Sequence, residues 1–154
     1  MQAEQMLDAV SQATEVAEKF PGFPLGTPAV LVPDGEFKHP WLEVFGRPAR
    51  AMACECERDP DTNLSQALLL VGGNTFHEKL SSPQGRIARL IAAGRSDAEI
   101  VEELFLAGYG RPPSDTERKR ALAHLATAAK GREQQAAEDV LWAILNSKEF
   151  MFNH

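Results

Sequence analysis

The segment Ser96–Glu117, with the sequence SDAEIVEELFLAGYGRPPSDTE, decides the fold class of this chain. It contains two S-x-x-E capping boxes, at residues 96–99 and 114–117, and each of them predicts the start of an α-helix. The first box is followed by apolar residues at positions i, i+1, i+4 and i+5, which share one helical face: Ile100, Val101, Leu104 and Phe105. Gly110 and the Pro112-Pro113 pair then end this helix, because proline disfavours helical backbone in the residue before it.

Helix signals continue on both sides of this segment. Residues 3–17 carry apolar residues at helical spacing, Asn63–Gln66 resembles a capping box, and a last helix is predicted over roughly 133–149. Together with a short helix around Ile87, which Gly94 ends, the chain contains at least five predicted helices. We therefore expect a mainly α fold, a compact multi-helix array with short connections. Its core is predicted to contain Leu68, Leu90, Ile91, Ile100, Leu104, Leu122, Leu125, Leu141, Ile144 and Leu145.

The N-terminal part of the chain has a different amino-acid composition. After its first helix it is rich in proline and glycine up to residue 62, so it cannot form one long regular element. Within it, the apolar run Ala29–Val32 predicts at most a short two-stranded element. A chain of 154 residues is about one domain. We expect a single domain, with a loop-rich segment at 1–62, anchored by Trp41, and a helical core at 63–154.

The charge of the chain limits its partners. The formal net charge is −6, with 16 basic and 22 acidic residues. An acidic domain without a basic run is poorly suited to nucleic acid or to an anionic membrane surface, because both need lysine and arginine against phosphates. No apolar run is long enough to span a bilayer, and no signal peptide is recognisable. The chain opens directly in a predicted helix, so we expect it to be part of a longer protein.

The most unusual segment runs from Arg47 to Asp59 and contains the C-x-C pair Cys54 and Cys56. Two thiolates at this spacing can bind one soft metal ion, and neighbouring arginines would lower their pKa values. A structural metal site needs four ligands, however, and the nearest histidine downstream is His77. The sequence therefore assigns no metal and no cofactor, and it leaves Cys54, Cys56 and His77 as ligand candidates only.

The same segment also has a structural interpretation. In an extended backbone, Cys54, Cys56 and Arg58 lie on one face. We expect at least one of these cysteines to be buried without metal, because free cysteine is among the most buried residue types. An inward-facing Arg58 must then pair with a carboxylate, since an unpaired buried charge is strongly destabilising. The candidate functional or structural cluster consists of Arg47, Arg50, Cys54, Cys56, Glu57 and Arg58.

Carboxylates in this region could also serve acid–base catalysis, for example in a hydrolase that acts on polysaccharide. Such catalysis needs two carboxyl groups paired in a pocket with shifted pKa values. The candidates are Glu55, Glu57, Asp59 and Asp61. An acidic run beside arginines is more typical of a salt-bridged surface, and the sequence contains no P-loop, G-x-S-x-G or H-E-x-x-H motif. No catalytic residue is assigned.

Several motifs, in order along the chain, resemble one known family. They are LDAVSQAT (7–14), FGRP (45–48), CECER (54–58), LSQAL (64–68), EKL (78–80), RPP (111–113) and LNSKEFMFNH (145–154). This combination is similar to the planctomycete PSD-one domain, also called domain of unknown function 1553, and it covers nearly the whole chain. The resemblance implies the C-terminal portion of a long bacterial protein that is secreted, periplasmic or on the cell surface, often with a cytochrome-like region.

Three functions from different classes follow from these observations. The leading hypothesis is a non-catalytic structural or interaction module that packs on other domains of the parent protein or on a protein partner. The second is a redox- or metal-linked site at the C-x-C pair, and the third is the carboxylate-based hydrolase. No oligomeric state is predicted.

Overall fold

The structure is a computed structural model that describes residues 3–32 and 74–152. Within these residues there are seven α-helices, one 3₁₀ helix and no strand. The α-helices are α1 (Ala3–Thr14), α2 (Asn74–Leu80), α3 (Arg86–Ala92), α4 (Asp97–Tyr109), α5 (Asp115–Ala126), α6 (Glu133–Leu145) and α7 (Lys148–Phe152), and the 3₁₀ helix is Ala29–Leu31. The predicted mainly α fold with compact helix packing is confirmed.

Helix α4 lies at the centre of the packing. It contacts α1, α3, α5, α6 and α7, and its contact with α6 is the most extensive in the described part of the chain. Gly108 allows this close approach, because a methyl group at its position would overlap Cγ2 of Ile144 on α6. Leu104 and Val101 on the same helix are fully buried. The seam between α4 and α6 is therefore a close helix–helix contact within the core.

Both capping boxes are present as predicted. The backbone N–H groups of Ser96 and Ser114 donate to the side chains of Glu99 and Glu117, at 2.9 and 2.7 Å. The two serine hydroxyls in turn accept from the glutamate N–H groups. Gly110 ends α4 with a φ of +68°, a left-handed conformation that glycine adopts without a steric penalty.

The predicted core is confirmed in most of its described members. Ile100, Leu104, Leu125, Leu141, Ile144 and Leu145 are buried, as are Met6, Leu7, Val10 and Ala13 on α1. Leu90, Ile91 and Leu122 are half-buried and pack against the edge of this core rather than inside it. Leu68 and Trp41 lie outside the described residues.

The apolar run Ala29–Val32, which could have formed a short strand, forms the 3₁₀ helix instead. Pro28 fixes φ at −60° in front of it. The Asp8 carboxylate accepts hydrogen bonds from the N–H groups of Ala29 and Val30, at 2.6 and 3.2 Å. These bonds satisfy donors at the start of the helical turn. Val30 and Leu31 are more than half exposed, so the apolar run is not a buried strand.

Two predicted helix ends are also corrected. Helix α1 ends at Thr14 and not near residue 17, because Glu15 has a φ of +58°. The last predicted helix divides into two, since α6 ends at Leu145 and α7 begins at Lys148.

Two cations from later in the chain hold the end of α1. Arg86 donates from Nε to the Ala13 carbonyl at 2.8 Å. Lys79, which is buried, donates from Nζ to the Val16 carbonyl at 2.8 Å and pairs with Glu18 at 3.0 Å. Carbonyls at a helix C-terminus have no partner inside the helix and favour cations. These contacts fix α2 and α3 against α1.

Candidate interaction groove

A groove of about 530 Å³ opens between α4, α5 and α6. Its floor consists of four buried apolar side chains, one or two from each helix: Phe105, Ala121, Val140 and Ile144. Apolar residues repeat about one helical turn apart on the core-facing side of each helix, so these side chains meet where the three helices converge. The groove is thus an opening onto the core itself, within the size range of ligand pockets.

The aromatic side chain of Tyr109 forms one wall of the groove. It packs edge-to-face on Phe105, with 5.5 Å between the ring centroids and an interplanar angle of 73°. The two residues lie one helical turn apart on α4, so their rings project from the same face of the helix. Burial raises the pKa of the Tyr109 hydroxyl above its ordinary value. Tyr109 is therefore held in place as a neutral, largely apolar wall.

Arg111, two residues after the end of α4, fixes the groove at Tyr109 by binding side chains of α5 and α7. Its Nε and Nη2 donate to the two carboxylate oxygens of Glu149 at 2.7 and 2.8 Å. Its Nη1 and Nη2 donate to those of Glu117 at 3.0 and 2.9 Å. The guanidinium carbon also lies 5.1 Å from the centre of the Tyr109 ring, within cation–π distance. Two bidentate pairs on one guanidinium make a directional link among three elements.

Glu117 should make the stability of the domain sensitive to acid. Hydrogen bonds from Arg111 and from Ser114 lower the pKa of Glu117 from 4.5 to about 2. A carboxyl group whose pKa is lower in the folded state contributes stability above the unfolded pKa, and this contribution is lost as the pH falls toward the folded pKa. We expect the free energy of unfolding to fall between pH 4.5 and about 2.

Denaturant unfolding at several pH values measures this dependence. Glu117→Gln should lower stability at neutral pH and flatten the decline below pH 4.5. Glu99, whose pKa is also lowered to about 2 by its capping box with Ser96, should behave in the same way. The double variant Glu99→Gln/Glu117→Gln should be flatter than either single one. An unchanged slope in all three variants would contradict the assignment.

The opposite rim is formed by polar side chains of α5 and α6. His124 Nε2 lies 3.1 Å from Asp139 Oδ2, and both side chains are about half exposed. A smaller cavity of about 310 Å³ lies on the other side of this pair. Arg120, one turn before His124 on α5, lines the groove and is exposed. The His124–Asp139 pair thus links the two helices between the cavities.

Trp142 stands at the edge of the groove. It lies on α6 and is 37% exposed, although the neighbouring residue Leu141 is almost completely buried. A partly exposed tryptophan beside an apolar floor is a side chain that a binding partner can remove from water.

The residues singled out from the sequence are not those of the groove. Arg47, Arg50, Cys54, Cys56, Glu57 and Arg58 lie outside the described residues, as do the carboxylates at 55–61. His77 is exposed on α2, where its backbone carbonyl accepts from Ser81. Within 3–32 and 74–152, no three His, Cys, Asp or Glu side chains are grouped so that they could hold a metal ion. The metal and cysteine hypotheses stay predictions.

Sequence reasoning missed the polar residues of the groove. Arg120, His124 and Asp139 occur in helices with many charges, and each looks like ordinary helix surface. Two sequence signals did point to the helix packing around the groove. One is Gly108 in the middle of a helical pattern, where glycine costs about 1 kcal/mol relative to alanine. The other is the RPP motif at 111–113. The first indicates a close helix contact and the second contains the arginine that joins three elements.

Comparison with known families gives one match. Residues 29–125, which are 97 of the 154 residues, match the family model described as PSD1, protein of unknown function (DUF1553). The family part of the resemblance is confirmed, whereas planctomycete origin and a C-terminal position in a longer protein stay predictions. No curated protein and no solved structure matches the chain. Among the described helices, none has the length and hydropathy required to cross a membrane.

Proposed function

The chain belongs to the PSD1 family of proteins of unknown function (DUF1553), and we propose that it is a non-catalytic interaction module. In this proposal it binds another domain of its parent protein or a separate protein partner. The binding surface is the groove between α4, α5 and α6. Following the family resemblance, we also propose that the parent protein works outside the cytoplasm.

The observation that carries this proposal is the partly exposed Trp142 beside a floor of buried apolar side chains. Tryptophan and tyrosine are enriched among the residues that dominate binding energy, and they act best in pockets that a partner can desolvate. Here Trp142 and Tyr109 line the same opening of about 530 Å³. A partner that inserts apolar side chains would remove both aromatic side chains from water.

The contacts of the charged groups favour binding over catalysis. Arg111, Glu117 and Glu149 are bound to one another and tie helices together. His124 and Asp139 are about half exposed and link α5 to α6. General acid–base chemistry requires such a pair to face a reacting group in a site that excludes water. The groove that this pair borders has a floor of apolar side chains.

An amphipathic helical peptide is a suitable probe for this proposal. We would use a synthetic helix of about 18 residues, or five turns, with leucines on one face and mixed charges on the other. The indole N–H signal of Trp142 in an NMR titration reports binding at the groove. A Trp41→Phe variant leaves Trp142 as the sole tryptophan and assigns the signal, because the chain has two tryptophans.

We expect Trp142→Ala to weaken peptide binding at least about fivefold, which is the usual effect of removing an aromatic anchor at an interface. Calorimetry measures the affinities of the variants. The matched control is Leu106→Ala, because Leu106 is 43% exposed on α4 but does not line the groove. Its affinity should equal that of the wild type. An equal loss in both variants would contradict the proposed surface.

A further inference from the structure

We infer that the segment bound in this groove is an amphipathic helix that carries a carboxylate next to its apolar anchor, and that Arg120 binds this carboxylate. The inference rests on the proposed function and specifies the partner of the same groove. It follows from two features of the lining, the helical nature of its walls and the pairing of its charges.

The walls of the groove favour a helical partner. All the lining residues belong to α4, α5 and α6, whose backbone N–H and C=O groups are already paired inside the helices. An extended peptide would bring backbone groups against apolar side chains without partners, and buried unpaired backbone groups are costly. A helix satisfies its own backbone and offers a stripe of apolar side chains, which is the helix-in-groove mode of recognition.

The charges at the rim favour a carboxylate on that helix. Glu117 is paired with Arg111, which it shares with Glu149, and Asp139 is within hydrogen-bond distance of His124. Arg120 is exposed, and no ion pair joins it to any residue in 3–32 or 74–152. It is therefore a groove-lining cation that no described carboxylate pairs with. A partner carboxylate placed here gains a charge-assisted hydrogen bond without breaking an existing contact.

The position of Arg120 on α5 distinguishes it from the nearby Arg118 as a candidate to bind the partner's carboxylate. Arg118 does not line the groove, and it lies 3.9 Å from Glu102 on α4. Arg120 lies one residue before Ala121 of the groove floor and one turn before His124. Its charge is therefore beside the site where an apolar anchor would enter, and a carboxylate one turn from that anchor on the partner helix can reach it.

The net charge of −6 opposes an acidic partner at long range. At physiological ionic strength, however, charges farther apart than about 8 Å are largely screened. The contact at Arg120 is shorter than this and is partly shielded from water by the bound helix. The inference is therefore tested at about 0.15 M salt.

The experiment compares three versions of the leucine-striped helix that differ at one residue next to the anchor, namely Glu, Gln or Lys. We expect the Glu peptide to bind wild-type protein about three- to fivefold more tightly than the Gln peptide, as is usual for a partly exposed ion pair, and the Lys peptide to bind least. In Arg120→Ala the three affinities should converge. In Arg120→Glu the order should reverse, so that the Lys peptide binds best. The matched control Arg118→Ala should keep the wild-type order.

The possible outcomes separate the inference from the function on which it rests. Equal binding of the Glu and Gln peptides, or preference for the Lys peptide by the wild type, would overturn the role of Arg120 while the groove still binds helices. If none of the three peptides shifts the Trp142 indole signal at millimolar concentration, the proposed function itself fails. Far-UV circular dichroism of each variant verifies that these surface substitutions leave the fold intact.

Discussion

Leu104→Ala should lower the free energy of unfolding of this domain by about 3 kcal/mol, within the range of roughly 2–5 kcal/mol for a buried leucine. Leu104 is completely buried on α4, the helix that packs on α1, α5, α6 and α7. Truncation removes apolar surface from the core and leaves a cavity among helices that are fixed on several sides. Because the surrounding helices cannot collapse freely into this space, the cost should not fall to the lower end.

Leu106 provides the matched control for this prediction, because it lies two residues away on the same helix and is 43% exposed. Leu106→Ala changes the same atoms and nearly the same helix propensity, and we expect a loss within about 0.5 kcal/mol. Denaturant unfolding of the 154-residue chain measures both. Equal losses in the two variants would show that the helix faces assigned to α4 are wrong.

Local signals made the helical part of the fold predictable. The capping boxes at Ser96 and Ser114 involve residues three positions apart, so each helix start is determined within one turn of sequence. Gly110 likewise ends α4 through its own backbone conformation. The repeat of apolar residues between these signals indicates which face is buried. Nothing outside residues 96–117 was needed to predict α4 and the start of α5.

Contacts between distant residues explain the predictions that failed. The 3₁₀ helix at Ala29–Leu31 depends on Asp8, which lies 21 residues before the backbone N–H that it binds most closely. The end of α1 receives Arg86, 73 residues farther along the chain. No local pattern at either place contains this information. From the sequence, the apolar run at Ala29–Val32 was therefore ambiguous, and the first helix was predicted three residues too long.

The candidate groove was unpredictable for a related reason. It exists only because α4, α5 and α6 converge, and each of them contributes side chains that look ordinary in its own helix. The unusual local composition lies instead around Cys54 and Arg58, which are outside the described residues. Trp142 was the one groove residue whose position at a helix margin could be predicted, since a large aromatic residue beside a buried stripe rarely fits completely inside.

Gly108→Ala should destabilise the domain, although the same change in an ordinary helix stabilises it. Alanine gains about 1 kcal/mol of helix propensity over glycine. At this position, however, the new methyl group would overlap Cγ2 of Ile144, a buried and β-branched residue whose side chain has little freedom to move. Overpacking of this kind costs typically about 1–3 kcal/mol. We expect the overlap to win, with a net loss of up to about 2 kcal/mol in the free energy of unfolding.

A double-mutant cycle with Ile144→Ala tests this explanation directly. Ile144→Ala alone should cost about 2–5 kcal/mol as a cavity in the core. It also removes the atom that the new methyl group would overlap, so adding Gly108→Ala to it should be neutral or should regain up to about 1 kcal/mol. The two substitutions should therefore be strongly non-additive, as expected for residues in contact. If Gly108→Ala destabilised both backgrounds equally, the close contact between α4 and α6 at Ile144 would not be its cause. Because Ile144 also forms the groove floor, Gly108→Ala should weaken binding of the leucine-striped helix, whereas Leu106→Ala should not.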